Sequence, residues 1–119
     1  QNLAAIAARH HFTMFEYFRT DRCGHKQDWG LAQNIVQILD EFIGTLFSLA
    51  TDDTLIMVTS DHGNFEDLSV KTHTLNPVPT LVLGNRAEQV SRSISQLTDI
   101  TPAILEYLER DETSGGSGG

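Results

Sequence analysis

A long segment with a helical apolar period stands beside a short segment with none, and that pairing limits the folds open to this chain. Leu31, Ile35, Ile38, Leu39, Phe42, Leu46 and Leu49 recur at spacings of three and four. Such a stripe predicts one long amphipathic helix, with Asp28 as its N-cap. After an Asp52-Asp53 turn, Thr54 to Thr59 (TLIMVT) is almost continuously apolar, as in a strand of a parallel sheet buried on both faces. Val78 to Leu83 (VPTLVL) reads as a second such strand, closed by Gly84-Asn85. Thr98 to Arg110 reads as a closing helix with Thr101 as cap and Pro102 at its first position. At the front, Leu3 to His11 is Ala-rich and helix-prone, and the aromatic segment Phe12 to Thr20 predicts a strand ending at Asp21. Asp21 to Lys26 is then a polar turn around Gly24. Helices alternating with strands predict an α/β fold, a mainly parallel sheet flanked by helices.

The length, 119 residues, allows one domain. The expected division is an α/β domain over residues 1–112 and a flexible Ser/Gly-rich tail (TSGGSGG) over 113–119. Residue 1 is Gln rather than Met, which reads as excision or processing at the front. The chain carries 8 Lys+Arg against 16 Asp+Glu, a net charge of -8, so nucleic acid and anionic membranes are not expected partners. Its longest apolar stretch, Phe42 to Ala50, is broken by Gly44, Thr45 and Ser48 and falls short of the roughly 20 residues a membrane span requires. The single Cys23 cannot form an internal disulfide, which suits a reducing compartment and makes the cytoplasm the expected location.

Residues a core would reject gather just past the predicted strand ends, where α/β sheets carry their chemistry. Asp21 and His25 stand four apart, Asp61 and His62 are adjacent, and His73 lies in the long polar stretch Ser60 to Asn76. Loops of that length in a compact domain are usually functional. Two carboxylates with three imidazoles suit zinc, manganese or iron better than calcium or magnesium. One cation could take Asp21, His25 and His73, while Asp61 and His62 could serve a second or bridge to it. Two cations roughly 3.5–4 Å apart would clamp both ends of an in-line phosphoryl displacement. Each pattern also has a plainer reading. An Asp-His pair at a strand end can simply cap a turn. Cys23 reads as a small buried filler rather than a soft ligand, His10 and His11 as surface or packing residues, and Glu66 and Asp67 as solvated loop carboxylates. Lys71 could face a phosphate or only water.

The segment Ser60-Asp61-His62-Gly63-Asn64-Phe65-Glu66-Asp67, followed by Thr72-His73-Thr74-Leu75-Asn76-Pro77-Val78-Pro79, resembles the C-terminal part of the alkaline phosphatase superfamily. It is most similar to the cofactor-independent phosphoglycerate mutase branch. That branch carries D-H-G-N-x-E, then H-T-x-N-P-V-P, with an upstream D-x-x-x-H matched by Asp21 and His25. The segment from Leu97 to Leu105 resembles the branch's closing helix, and the resemblance covers about residues 12 to 110. It implies that Asp21, His25 and His73 hold one divalent cation and Asp61 and His62 the second, manganese or zinc. The family's two further ligands, an Asp and a Ser or Thr that is also the nucleophile, have no counterpart here, which implies an incomplete N-terminal half.

The expected function is therefore the metal-binding part of a phosphomutase or phosphohydrolase, acting on a phosphorylated small molecule by two-metal phosphoryl transfer. The alternative is a truncated or engineered fragment that folds, binds one divalent metal and turns nothing over. A missing N-terminal segment, or self-association, would complete the sheet edge.

Overall fold

A computed structural model describes residues 2–114. Five helices and two strands follow one another as α1 (Asn2–Ala7), α2 (Arg19–Lys26), α3 (Trp29–Ser48), β1 (Leu55–Thr59), β2 (Thr80–Gly84), α4 (Ala87–Arg92) and α5 (Ile100–Ser114). The expected tail begins inside α5, and residues 115–119 lie outside the described part.

The periodic segment forms the 20-residue helix α3. The Asp28 carboxylate accepts from the Leu31 N–H at 2.9 Å, which satisfies one of the free donors of the first turn. Only the first half of the stripe is sealed. Ala32 and Ile35 are buried, Leu31 and Leu39 are partly buried, and Ile38 and Leu49 are exposed. Cys23 from α2 and Leu68 from the loop after β1 complete this core, with Tyr17 and Phe65 against its edge. Cys23 is a packing residue, as its surroundings demand: burial, and then the nearby Asp28 charge, push its thiol pKa up, and its Sγ–H donates to the Asp28 carbonyl at 3.3 Å.

The aromatic segment is a correction. Phe12 to Tyr17 is irregular rather than a strand, and the turn expected at Asp21 to Lys26 is the body of α2. β-propensity expresses fit to a sheet surface rather than a backbone preference, and this segment pairs with neither β1 nor β2. The aromatics pack on helices or face outward: Phe15 meets Phe42 with ring centroids 5.4 Å apart, while Phe12 and Phe18 stay exposed. Helix α2 ends at Gln27, whose left-handed backbone (φ 55°) lets its N–H bond the Gly24 carbonyl at 3.0 Å.

The sheet is a second correction. β1 and β2 pair antiparallel, from Leu55 opposite Gly84 to Thr59 opposite Thr80, so the described residues contain no parallel sheet. A parallel pair requires a crossover, usually a helix, to return the chain to the same end. Residues 60–79 contain no helix. They fold as a wide loop pinned by the Thr74 N–H on the Gly63 carbonyl at 2.9 Å, and the chain re-enters from the same end. Of β1 only Ile56 is fully buried, not both faces.

Beyond β2, Arg86 lies over the Tyr107 ring at 4.1 Å, and Tyr107 Oη donates to the Asp53 carbonyl at 3.1 Å, which ties α5 to the start of β1. Helix α5 is entered through a 3-10 turn, Leu97–Asp99, capped by Gln96 and Asp99 rather than by Thr101. Pro102 is then the third helical residue, still within the turn that lacks backbone acceptors. Among the described residues no helix is long and apolar enough to cross a membrane.

Candidate metal centre

Three segments deliver the polar cluster. Asp21 and His25 stand one turn apart on α2, so both project from one helix face. Asp61 and His62 follow the end of β1, and His73 lies in the returning limb of the loop. Asp21 is the hub. Its Oδ1 lies 3.3 Å from His25 Nε2, 3.4 Å from His73 Nε2 and 4.0 Å from His62 Nε2. The His62 and His73 rings stack at 3.6 Å between centroids, and His25 is tilted against His73 at 5.3 Å. Asp61 reaches the cluster from outside: its Oδ1 is 3.6 Å from His62 Nε2, while its side chain is 87% exposed. The two groups expected from spacing thus meet as one cluster in which His62 stands with Asp21 and His73.

Hydrogen bonds orient two of the imidazoles. His25 Nδ1–H donates to the Lys71 carbonyl at 2.6 Å, and His62 Nδ1–H to the Gly63 carbonyl at 3.3 Å. A carbonyl can only accept, so Nδ1 carries a proton in both and Nε2 is the ring nitrogen turned toward the cluster. Asp21 Oδ1 is itself inaccessible and has no hydrogen-bond partner. A buried carboxylate oxygen without a donor is unfavourable unless a positive charge stands beside it. A divalent cation fits that requirement. Donors bound at about 2.0–2.2 Å to one zinc lie about 3–4 Å apart, close to the separations seen here. One donor atom each from Asp21, His62 and His73 all fall within 4.8 Å of one another.

Two residues outside the expected ligand set organise the loop. Glu66 accepts from the Asn64 N–H at 2.6 Å, from Asn76 Nδ2 at 3.0 Å and from the Thr74 hydroxyl. The Thr74 bond foremost lowers its pKa from 4.5 to about 2; burial opposes it, and the residue's own backbone N–H and the bonds from Asn76 and Asn64 add to the lowering. It therefore staples the limb carrying His62 to the limb carrying His73, a role that its polar surroundings in the sequence concealed. Gly63 leaves room for this staple, since a Cβ there would stand 2.1 Å from Thr74 Oγ1. Asn64 is buried under α2, and the short spacing Gly63-Asn64-x-Glu66 was the one sequence signal for both. Asp67 closes a local turn onto Ser69. Lys71 contributes its backbone carbonyl to His25, and its side chain is exposed. His10 and His11 are exposed and remote in sequence from the other three.

Residues 2–112 match the Metalloenzyme superfamily. Among curated proteins, the chain is 33% identical over 103 residues to a 2,3-bisphosphoglycerate-independent phosphoglycerate mutase of Desulforudis audaxviator, covering 80% of this chain and 20% of that protein. It is 31% identical over 114 residues to the mutase of that name from Dinoroseobacter shibae, covering 89% of this chain and 22% of the relative. The one from Antithamnion sp. is 29% identical over 106 residues, covering 82% and 21%. The chain thus spans about a fifth of the length of these relatives. No solved structure matches it significantly. The motif around Asp61 and His62, the match across nearly the whole chain and the mutase relatives agree: the chain belongs to the metalloenzyme superfamily, alkaline phosphatase-like, on its phosphoglycerate mutase branch.

Proposed function

We propose that this chain is the metal-binding part of a phosphomutase or phosphohydrolase that acts on phosphorylated small molecules by two-metal phosphoryl transfer. The observation that carries this reading is the buried, unpartnered Oδ1 of Asp21 within 4.0 Å of three imidazole Nε2 atoms. Asp21, His25 and His73 would hold one divalent cation, manganese or zinc, with His62 at its border. Asp61 and His62 would supply the chain's share of a second. When bound, such cations polarise phosphoryl oxygens and stabilise the charge that develops in transfer. The chain's own contribution is orientation. His25 and His62 are fixed by their Nδ1 bonds, and Asp21 supplies the negative charge that makes a cation preferable to protons. The relatives carry the mutase name, and the Ser or Thr nucleophile has no counterpart among these motifs. Turnover is therefore assigned to an assembly in which a further segment, or a second copy, meets this cluster. In this reading residues 1–112 are the domain, residues 113–119 a tail, and the setting is cytoplasmic, where a lone buried Cys23 stays reduced.

A second reading, a fragment that binds one metal and turns nothing over, is favoured by one observation. Asp61 stands almost wholly in solvent, so among the described residues one cluster is assembled. Both readings are tested on the purified chain by metal analysis after loading with manganese or zinc and desalting, and by hydrolysis of an aryl phosphate. About one retained cation with hydrolysis supports the first reading, and retention without hydrolysis the second. His73→Ala is expected to lose the cation. A wild-type chain retaining none, or a His73→Ala chain retaining as much as wild type, sinks the ligand assignment.

A further inference from the structure

One buried side chain at the edge of the cluster is unexplained by the ligand set. Asn64 is 3% exposed, and neither its Oδ1 nor its Nδ2 has a hydrogen-bond partner. Leaving an amide so buried without partners is unfavourable, so an apolar side chain of similar size would be the cheaper filler. The amide lies directly on Gly24. A Cβ placed there would stand 1.5 Å from Asn64 Oδ1 and 2.4 Å from its Cγ, so the helix accepts this contact only with glycine. Glycine inside a helix is itself unfavourable relative to Ala. Both members of the pair thus go against local preference at one point of contact.

That point lies between the two halves of the cluster. Gly24 is three residues after Asp21, its neighbour on the surface of α2, and directly precedes His25 in the chain. Asn64 is two residues after His62, and its N–H is held by Glu66, which also holds Thr74 beside His73. Two other links cross the same seam, His25 Nδ1–H to the Lys71 carbonyl at 2.6 Å and Gln27 Nε2–H to the Leu68 carbonyl at 3.1 Å. Both lie on the later part of the loop. Asn64 on Gly24 is the steric stop on the side of His62.

We infer that Asn64, seated in the notch of Gly24, is a positioning residue that sets the opening between Asp21 on α2 and His62 and His73 on the loop. This inference rests on the metal-centre reading and adds to it a residue that need not touch the cation. The test uses the full chain loaded with Co2+, whose visible absorption reports ligand geometry, together with competition for Zn2+ affinity and melting without metal. Wild type, Asn64→Ala, Asn64→Leu, Gly24→Ala and the double variant Gly24→Ala with Asn64→Ala are compared.

Asn64→Ala is expected to weaken Zn2+ binding by about 10–100-fold, the range for lost supporting contacts, and to alter the Co2+ spectrum. Asn64→Leu, which keeps the bulk, should retain more affinity than Asn64→Ala. Gly24→Ala should be as damaged as Asn64→Ala or more so. The double variant should recover part of that loss, because removing the Asn64 amide frees the space the new Cβ requires. If Gly24→Ala does not fold, the two Asn64 variants carry the test alone. An unchanged Co2+ spectrum and Zn2+ affinity in Asn64→Ala would overturn the inference, even with a lowered melting temperature, since that pattern marks a purely structural role. A wild-type chain that binds neither Co2+ nor Zn2+ would instead remove the metal-centre reading, and this inference with it.

Discussion

Glu66 shows how one side chain can hold a loop whose backbone has little regular structure. Residues 60–79 carry one isolated bridge, Gly63 to Thr74, and two local backbone turns, Asn64 to Asp67 and Asp67 to Val70, to which side-chain bonds are added. The Glu66 carboxylate accepts three of these, and its pKa is held near 2 by the bonds from Thr74, Asn76 and Asn64. A carboxylate depressed in the folded state contributes stability that is complete above its unfolded value, 4.5, and is lost as pH falls through the folded value, near 2. Acid unfolding followed by circular dichroism is expected to show this loss between those two values. Glu66→Gln should remove that part of the pH dependence and cost about 1 kcal/mol at pH 7, a figure kept small because the group is solvent-screened. A variant with the wild-type acid profile would show that Glu66 is not the staple. The ligand candidates were legible at this scale. Asp21 with His25, Asp61 with His62, and His73 each stand out as spaced polar groups, although Asp21 and His25 lie on α2 and not past a strand end. Glu66 was not, because a carboxylate in a polar loop is ordinarily solvated, and only the fold brings Asn64, Thr74 and Asn76 onto it.

Among elements, α3 was legible because its signal is local: a stripe of period 3.6 and an Asp at the cap identify a helix without reference to anything else. Strands have no such independence. TLIMVT and VPTLVL were recognisable as strands, but their direction depends on what lies between them, and the polar loop contains no crossover helix. The aromatic segment Phe12 to Thr20 failed for the same reason, since its preference required a partner strand. Two substitutions separate core from turn. Ile35 is fully buried at the centre of the main cluster, so Ile35→Ala is expected to cost about 2–4 kcal/mol through lost transfer energy and the cavity left behind. Gly84 ends β2 opposite Leu55, at the open end of the strand pair, with φ 92°, and a Cβ there would stand 2.2 Å from the Thr54 carbonyl oxygen. Gly84→Ala is therefore expected to cost about 2 kcal/mol or more, through backbone strain and contact together. Urea unfolding with an unchanged m-value checks both. A Gly84→Ala midpoint equal to wild type would contradict the hairpin geometry.

The whole molecule is extended, 59 × 30 × 19 Å with a radius of gyration of 16.5 Å. A compact chain of this length would have about 13–14 Å. Among the described residues the buried apolar ones are few: Cys23, Ala32, Ile35 and Leu68 in one cluster, with Ile56, Val90 and Ala103 elsewhere. Against so small a core, the inaccessible, unpartnered Oδ1 of Asp21 is a liability, because a carboxylate oxygen with neither solvent nor a donor is unfavourable. A cation reverses the sign of that contribution, so native-state stability should depend on it more than in a protein with a larger core. A free cation at 100 times its dissociation constant stabilises the native state by about 2.7 kcal/mol. For a domain of this size that corresponds to a rise in melting temperature on the order of 10 °C. Thermal melts of the manganese- or zinc-loaded chain are therefore expected to fall by that order on adding a chelator and to recover when metal is restored in excess. Asp21→Asn and His73→Ala should melt at one temperature with and without chelator. An equal fall in those variants would trace the effect to cation binding elsewhere among the sixteen carboxylates, and no fall in wild type would separate folding from metal altogether.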